Sequence, residues 1–159
     1  MKNFKKISIL TILIVSFLLS GCGKKNVTYM DRPADDGKFY YTNQLLGFNV
    51  VLPKEFDHYQ TQRVAKDDYV DIEFYVPTSD TVYVQEVSGY AKMIVIRAYK
   101  KPGWDKVNHN EKTTIFKKFG ETGGNVLTVY FNDVIPKDWK DKWTDQLKND
   151  IKNNLSIVN

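Results

Sequence analysis

The chain of 159 residues contains one thiol, Cys22, which lies directly after an apolar run. A thiolate is a nucleophile that can be alkylated, oxidised or bound to a metal. The apolar run, residues 7–19, carries no charge and follows three lysines within the first six positions. As a helix it would span roughly 20 Å, short of the roughly 30 Å hydrocarbon core of a bilayer. This layout predicts a signal peptide rather than a permanent membrane helix.

Leu19, Ser20, Gly21 and Cys22 resemble the lipobox of bacterial lipoproteins, Leu-(Ala/Ser)-(Gly/Ala)-Cys, position by position. The resemblance implies that the sulfur of Cys22 carries a diacylglyceryl group and that the chain is cut between Gly21 and Cys22. In many bacteria the new amino group is acylated too. Two or three acyl chains anchor a protein stably, since each buried methylene contributes about 0.8 kcal/mol. A plain secretory signal followed by an accidental cysteine is the alternative.

The lipobox implies an address outside the cytoplasm. We expect the protein on the extracytoplasmic face of the cell membrane, held by its lipid, or in the outer membrane if the cell has one. An exported chain with one cysteine cannot form an internal disulfide, and lipidation accounts for the remaining thiol. The domain that follows contains no cysteine, which excludes thiol catalysis there.

The charge balance disfavours nucleic acid as a partner. The full chain has 23 basic and 19 acidic residues, and removing residues 1–21 takes away three lysines and no acid. The mature chain is therefore nearly neutral, whereas nucleic-acid binding needs a clustered basic surface. The lysine pairs at 100–101 and 117–118 are scattered along the chain. Lys24 and Lys25 lie beside the anchor and can meet anionic headgroups.

Composition divides the mature chain into two parts. Residues 22–37 are polar and contain Pro33, and they predict a flexible tether behind the lipidated cysteine. Such a tether has a typical end-to-end distance of about 20 Å. Residues 38–159 form a single extracytoplasmic domain, long enough to bury its own core.

Alternating hydrophobicity predicts strands over most of this domain. Residues 69–76 place Val70, Ile72, Phe74 and Val76 on one face and leave Asp71, Glu73 and Tyr75 on a face expected to be wet. The other predicted strands are Phe48–Leu52, 81–87, 91–99 and 126–131, the last one entered through a tight hairpin turn at Gly123–Gly124.

The pattern changes to a helical one near the C-terminus. Apolar residues recur every fourth position after Pro136, separated by polar residues, which predicts an amphipathic helix lying over a sheet. A ligand-binding aromatic ladder is the alternative. Residues 155–158 are expected to form a final short strand or an extended tail. Together the elements predict an α+β fold, an antiparallel β-sheet covered by helices. The periodic positions are Trp139, Trp143, Leu147, Ile151 and Leu155.

The domain resembles the PsbP/Mog1/DcrB-like family. The resemblance lies in the opening segment YTNQLLGFNVVLPKEF (41–56), in MIVIRAYKKPGW (93–104), in FKKFGETGGNVLTVYF (116–131) and in the ending NNLSIV (153–158). It implies an antiparallel sheet flanked by helices and an extracytoplasmic life. The sequence departs from the family pattern at Glu55–Phe56, where a tryptophan is usual. Because these motifs are turns, strand ends and core aromatics, the resemblance assigns no catalytic or binding residue.

Candidate catalytic groups are few. His58 and His109 are isolated from the motifs that bind zinc, so we expect no metal and no cofactor. Ser88 in the sequence EVSGY is expected to lie in a turn rather than to act as a nucleophile. The pairs Asp35–Asp36, Asp67–Asp68 and Asp71 with Glu73 are the candidates for carboxylate catalysis or calcium binding, and we expect them to be solvated.

These observations favour a non-enzymatic binding or accessory module of the cell envelope. Its partners would be the membrane, through the anchor, and a protein, peptide or envelope polymer. Tyr75 and Tyr83 are candidates for a recognition surface, although cross-strand packing explains them equally well. An envelope hydrolase that uses carboxylates, with Asp67, Asp71 or Glu73 converging on His58, is the second hypothesis. An immunity or inhibitor lipoprotein is the third.

Overall fold

The computed structural model describes residues 27–29, 32–107 and 115–158. The predicted signal peptide, the lipobox with Cys22, and His109 lie outside these residues. Among the described helices, none is long and apolar enough to cross a membrane.

The described chain forms two antiparallel sheets. The first contains β1 (Val27–Tyr29), β2 (Phe39–Asn43), β3 (Phe48–Leu52) and β9 (Ser156–Ile157), in that spatial order. The second has the spatial order β4-β5-β6-β8-β7. Its strands are β4 (Gln60–Ala65), β5 (Tyr69–Pro77), β6 (Tyr90–Lys100), β7 (Lys117–Thr122) and β8 (Asn125–Phe131).

The helices of the described chain are short. They are α1 (Lys101–Asp105), α2 (Asp145–Asn153) and the 3-10 helices Lys54–Phe56 and Lys137–Trp139. The architecture is therefore mixed but mostly strand. The coarse α+β prediction holds, whereas the prediction of one sheet covered by helices is wrong. The second sheet, rather than a helix, covers most of the apolar face of the first.

The hydrophobic core lies between the two sheets. Strands β2 and β3 alternate strictly, so one face of the first sheet is buried. That face meets the side of β5 that carries Ile72 and Phe74, and the rings of Tyr41 and Phe74 cross edge to face with centroids 5.0 Å apart. The largest fully buried side chains are Tyr41, Tyr75, Phe39, Phe48, Phe56, Phe74, Leu52, Met93, Ile94, Ile96, Leu127 and Ile151.

The strand predictions for 48–52, 69–76, 91–99 and 126–131 are confirmed. The hairpin prediction is confirmed as well, because Thr122 pairs with Asn125 across a two-residue turn. Gly123 and Gly124 have φ angles of 51° and 85°. A residue with a Cβ adopts two such angles in succession only at a cost, so the glycines determine this turn.

The predicted strand at 81–87 is wrong. Residues 78–89 form a loop between β5 and β6, with a single bridge between Val87 and Tyr90. Val82 and Val84 alternate as strand residues would, but they are 76% and 88% exposed. No neighbouring strand pairs with this segment in the described chain. Its contacts go instead to the segment before α2, where the Asp138 carboxylate accepts hydrogen bonds from Thr78 and Ser79.

The predicted C-terminal helix is shorter than its apolar pattern. It begins at Asp145, with Thr144 as N-cap, so the periodic residues Trp139 and Trp143 precede it. Both tryptophans are nevertheless buried, since their indole N–H groups donate to the Pro77 and Asn132 carbonyls. These bonds hold the segment in a 3-10 turn and leave the continuous helix unformed. The final strand prediction is confirmed by β9, which pairs with β3.

Strand β1 lies within the segment predicted to be the tether. Its three residues pair antiparallel with β2, and Val27 lies opposite Asn43. The stretch 54–69, which the sequence pattern leaves undecided, contains the 3-10 helix Lys54–Phe56 and strand β4.

Candidate functional site

A groove of about 330 Å³ lies between α2 and the adjoining strands β7 and β8. Its lining contains both apolar and charged side chains. Lysine ammonium groups beside apolar side chains suit a ligand that carries an acidic group next to an apolar one. The lining residues are Lys117, Val129, Phe131, Asp145, Lys148, Asn149 and Lys152.

Local structure explains how these residues meet. Lys117 lies on the edge strand β7 directly across from Val129. Asp145, Lys148 and Lys152 follow one another at spacings of three and four, which places them on one face of α2. The start of that helix is set by Thr144, whose hydroxyl accepts the Leu147 N–H at 3.2 Å. The cap therefore determines where α2 begins.

The lysines make the groove positive. Lys148 is 22% exposed, and its ammonium lies 3.6 Å from Asp133 and 3.7 Å from Asp145. It also lies 5.8 Å from the centre of the Trp143 ring. These contacts limit where its charge can move. Three lysines line the groove against one acid, Asp145, so basic side chains outnumber acidic ones in its lining.

The carboxylates predicted to be solvated on β5 are buried. Asp71 is 5% exposed and Glu73 8%, so the prediction of a wet face is wrong. Asp71 accepts two hydrogen bonds from Arg97, the residue opposite it on β6, at 2.7 and 2.8 Å. The guanidinium lies 3.7 Å from the centre of the Tyr69 ring and 4.1 Å from that of Phe116. Aromatic side chains thus cover this face.

Arg97 is held in its charged form. Burial alone would lower the pKa of Arg97, but the hydrogen bonds to Asp71 raise it above its ordinary value. The pair forms a closed, bidentate contact in which donors and acceptors are matched. An arrangement of this kind holds strands β5 and β6 in register.

Glu73 belongs to a second buried network on the same face. It accepts a hydrogen bond from the Tyr75 hydroxyl at 2.6 Å and one from the Lys92 ammonium at 3.2 Å. Glu86, from the loop 78–89, accepts a hydrogen bond from the same ammonium at 2.7 Å. Burial, and next the hydrogen bond to Glu73, raise the pKa of Tyr75. Tyr75 is 1% exposed, so of the two interpretations of this tyrosine, packing is the one that the structure supports.

The structure does not bring His58 to these carboxylates. His58 lies on an exposed turn, where its imidazole approaches Asp57 at 3.6 Å. Asp68 pairs with Lys106 on the surface, and Tyr83 is half-buried in the loop 78–89. In the part of the chain that the structure describes, no three His, Cys, Asp or Glu side chains form a group that could hold a metal ion.

Ser88 and Gly89 lie in the turn before β6, as predicted. Asp36 is exposed and accepts hydrogen bonds from the Tyr40 hydroxyl and the Lys38 N–H, which lower its pKa. The prediction of solvated acids is therefore confirmed for Asp36 in its loop and wrong for Asp71 on strand β5.

Sequence reasoning missed the groove. Lys148 and Lys152 are four residues apart on a predicted helix, and Lys117 lies in the segment that leads to the predicted hairpin turn. The signal that could have found them is the run of polar residues on α2 between buried positions. Their convergence with Lys117 depends on how α2 packs against β7 and β8.

Comparison with family models, with curated proteins and with solved structures found no match for the chain. The roles of the groove residues therefore follow from their contacts, burial and charge.

Proposed function

We propose that this protein is a lipid-anchored, extracytoplasmic binding module of the cell envelope and is not an enzyme. Cys22, within the sequence Leu19-Ser20-Gly21-Cys22, is its point of lipid attachment. The groove between α2 and strands β7 and β8 is its binding site. The observation that carries this proposal is a groove whose lining combines the apolar residues Val129 and Phe131 with three lysines.

The ligand is an acidic group borne by an envelope partner. Lys117 and Lys152 supply positive charge, and the half-buried Phe131 supplies an apolar surface in the same groove. A groove of a few hundred Å³ has the size of ordinary ligand sites, which run from roughly 300 to 1,000 Å³. The groove therefore suits one acidic side chain or chain end together with an adjacent apolar group.

The carboxylate contacts support binding over hydrolysis. Glycoside hydrolysis needs two carboxyl groups that face a substrate, one of them able to donate a proton. The Asp71 carboxylate accepts hydrogen bonds from Arg97, and the Glu73 carboxylate accepts them from Tyr75 and Lys92. These partners turn both acids into structural ion pairs between strands.

We also propose that the fold is PsbP/Mog1/DcrB-like. Three features support this assignment. The opening segment 41–56 forms a hairpin, the strand ending at Lys100 leads into Trp104 of α1, and the ending NNLSIV follows a C-terminal helix. A solved structure of a family member tests this assignment. It should contain the same two antiparallel sheets, and a different sheet arrangement would contradict the assignment.

Lipidation is tested on protein purified from its own membranes. We expect the mass of the mature N-terminal peptide to begin at Cys22 and to include a diacylglyceryl group. In a Cys22→Ser variant the lipid should be absent and the signal peptide uncut or miscut. An unmodified Cys22 thiol in the parent protein would refute the anchor.

Groove binding is tested by titrating the full lipidated protein in detergent with a short peptide of glutamates that contains one phenylalanine. We expect the double variant Lys117→Glu/Lys152→Glu to lose binding, because acidic side chains would then outnumber basic ones in the lining of the groove. Lys140→Glu is the matched control, since Lys140 is exposed on the turn before α2 and does not line the groove. Equal loss in the control, or unchanged binding in the double variant, would contradict the proposed site.

A further inference from the structure

The pairing of β1 determines where the anchor joins the domain. β1 runs antiparallel to β2, so that Val27 lies opposite Asn43 and Tyr29 opposite Tyr41. Val27 is the first residue of β1 and Asn43 the last residue of β2. The segment that precedes β1 therefore leaves the first sheet at the end where β2 turns into β3.

The length of that segment limits the distance to the membrane. Four residues lie between Cys22 and Val27, so the two are five positions apart, and five positions of extended chain span at most about 18 Å. Strand β6, with 11 residues, is about 36 Å long. The segment between Cys22 and Val27 is shorter than the domain. If Cys22 is anchored in the bilayer, the domain therefore cannot touch the bilayer only through the end farthest from Val27.

Turns of the second sheet lie at the same end. The β2–β3 turn meets the start of the β7–β8 turn, since a Cβ on Gly47 would lie only 2.5 Å from Cγ2 of Thr122. The backbone N–H of Lys101, at the start of α1, donates to the carbonyl of Gly124 in that same turn. We call this group of turns the anchor end: residues 43–48, 65–69, 100–107 and 121–125.

The opposite group of loops, the far end, comprises residues 53–60, 77–90 and 131–143. The two ends differ in charge. The anchor end has four lysines and four acids, whereas the far end has four lysines and seven acids. Anionic headgroups therefore repel the far end more strongly than the anchor end. Both ends expose apolar side chains, Leu45 at the anchor end and Val82, Val84 and Val134 at the far end, so charge and the length of the segment before β1, rather than apolar exposure, distinguish the two ends.

We propose that the anchor end is a membrane-contacting surface, on which Leu45 and the lysines of the neighbouring turns meet the headgroups of the bilayer. The far end, with the exposed Val82 and Val84, then points away from the membrane. This inference rests on the proposed lipidation of Cys22. It adds an orientation that lipidation by itself does not determine, because a long flexible tether would leave the domain free to turn.

The proposed orientation can be measured with two single-cysteine variants, Leu45→Cys and Val84→Cys. In the lipidated protein Cys22 is blocked, so the introduced cysteine is the only free thiol and takes a fluorescent label selectively. The protein is incorporated into phosphatidylglycerol/phosphatidylcholine vesicles that contain a lipid with a nitroxide on its headgroup. We expect loss of fluorescence at position 45 and none at position 84. Both side chains are exposed, so neither substitution threatens the fold.

A third variant tests the tether. A Gly/Ser insertion of about 20 residues between Cys22 and Val27 has a typical span of about 25 Å, which releases the domain from the bilayer. We expect it to reduce the quenching at position 45 while the protein still sediments with vesicles. Equal quenching of the two labels in the protein without the insertion would overturn the orientation but leave the anchor standing. A mass that shows unmodified Cys22 would overturn both.

Discussion

Replacing Arg97 with methionine should destabilise the domain more than any comparable change at its surface. Asp71 is almost fully buried and receives both of its short hydrogen bonds from the Arg97 guanidinium. The Arg97→Met variant keeps a long apolar stem beside Tyr69 and Phe116 but removes the charge. The Asp71 carboxylate is then left in a site that solvent hardly reaches.

The magnitude follows from the geometry of the pair. Two unit charges about 4 Å apart attract each other by about 4 kcal/mol at an effective dielectric constant of 20. Removing one partner of a buried pair costs about 3–5 kcal/mol, because the other charge remains without compensation. The contact between the guanidinium and the Tyr69 ring, at 3.7 Å, adds about 1 kcal/mol. We therefore expect the free energy of unfolding to fall by about 3–5 kcal/mol.

Urea unfolding at pH 7, followed by tryptophan fluorescence and by circular dichroism, measures this loss. Lys106→Met is the matched control. Lys106 also pairs with an aspartate, Asp68, but the two side chains are 69% and 51% exposed. An exposed pair contributes about 0–1 kcal/mol, so the control should change the free energy of unfolding by no more than that.

The double variant Asp71→Leu/Arg97→Met tests whether the lost stability comes from the uncompensated charge of Asp71. When both charges are absent, no buried charge is left uncompensated, and we expect most of the lost stability to return. A loss below about 1 kcal/mol for Arg97→Met would refute the claim that burial makes this pair different from an exposed one. Additive losses in the double variant would refute the claim that the two residues act as a pair.

Two further changes test the turns. Gly47→Ala should lower the free energy of unfolding by about 1–3 kcal/mol, because Gly47 has a φ of 76° and its new Cβ would meet Thr122. Gly37→Ala, at a φ of 74° but with nothing within 4 Å, is its control and should cost less by the same urea assay. Thr144→Ala removes the N-cap of α2 and should cost about 1 kcal/mol, whereas Thr144→Ser should restore most of it. An equal loss in the two glycine variants, or no rescue by serine, would contradict these reasons.

Prediction from sequence succeeded for the elements whose signals are local. Alternation predicted β5, and two successive glycines predicted the turn between β7 and β8, because side-chain direction and positive φ angles depend on neighbouring residues alone. It failed at 81–87, where the same alternation occurs without a strand to pair with. Pairing requires a partner strand at the right distance, which local sequence does not reveal.

The candidate site shows the same division. Cys22 and its lipobox are contiguous, so their expected chemistry depends on four adjacent residues. The groove joins residues from β7, β8 and α2 that are up to 35 positions apart, from Lys117 to Lys152. Whether these residues meet depends on how α2 packs on the sheet edge. The local sequence around a lysine is the same whether or not that lysine lines a groove.

The sequence alone determined the expectation of export, the number of thiols and most of the strands, since each depends on composition or on adjacent residues. Only the tertiary structure decided that a second sheet covers the first. It also decided that Asp71 is buried against Arg97 and that β1 pairs with β2. The physical reason is that burial depends on what lies opposite a side chain across the fold. A strand with one polar face has the same alternation whether water or another layer covers that face.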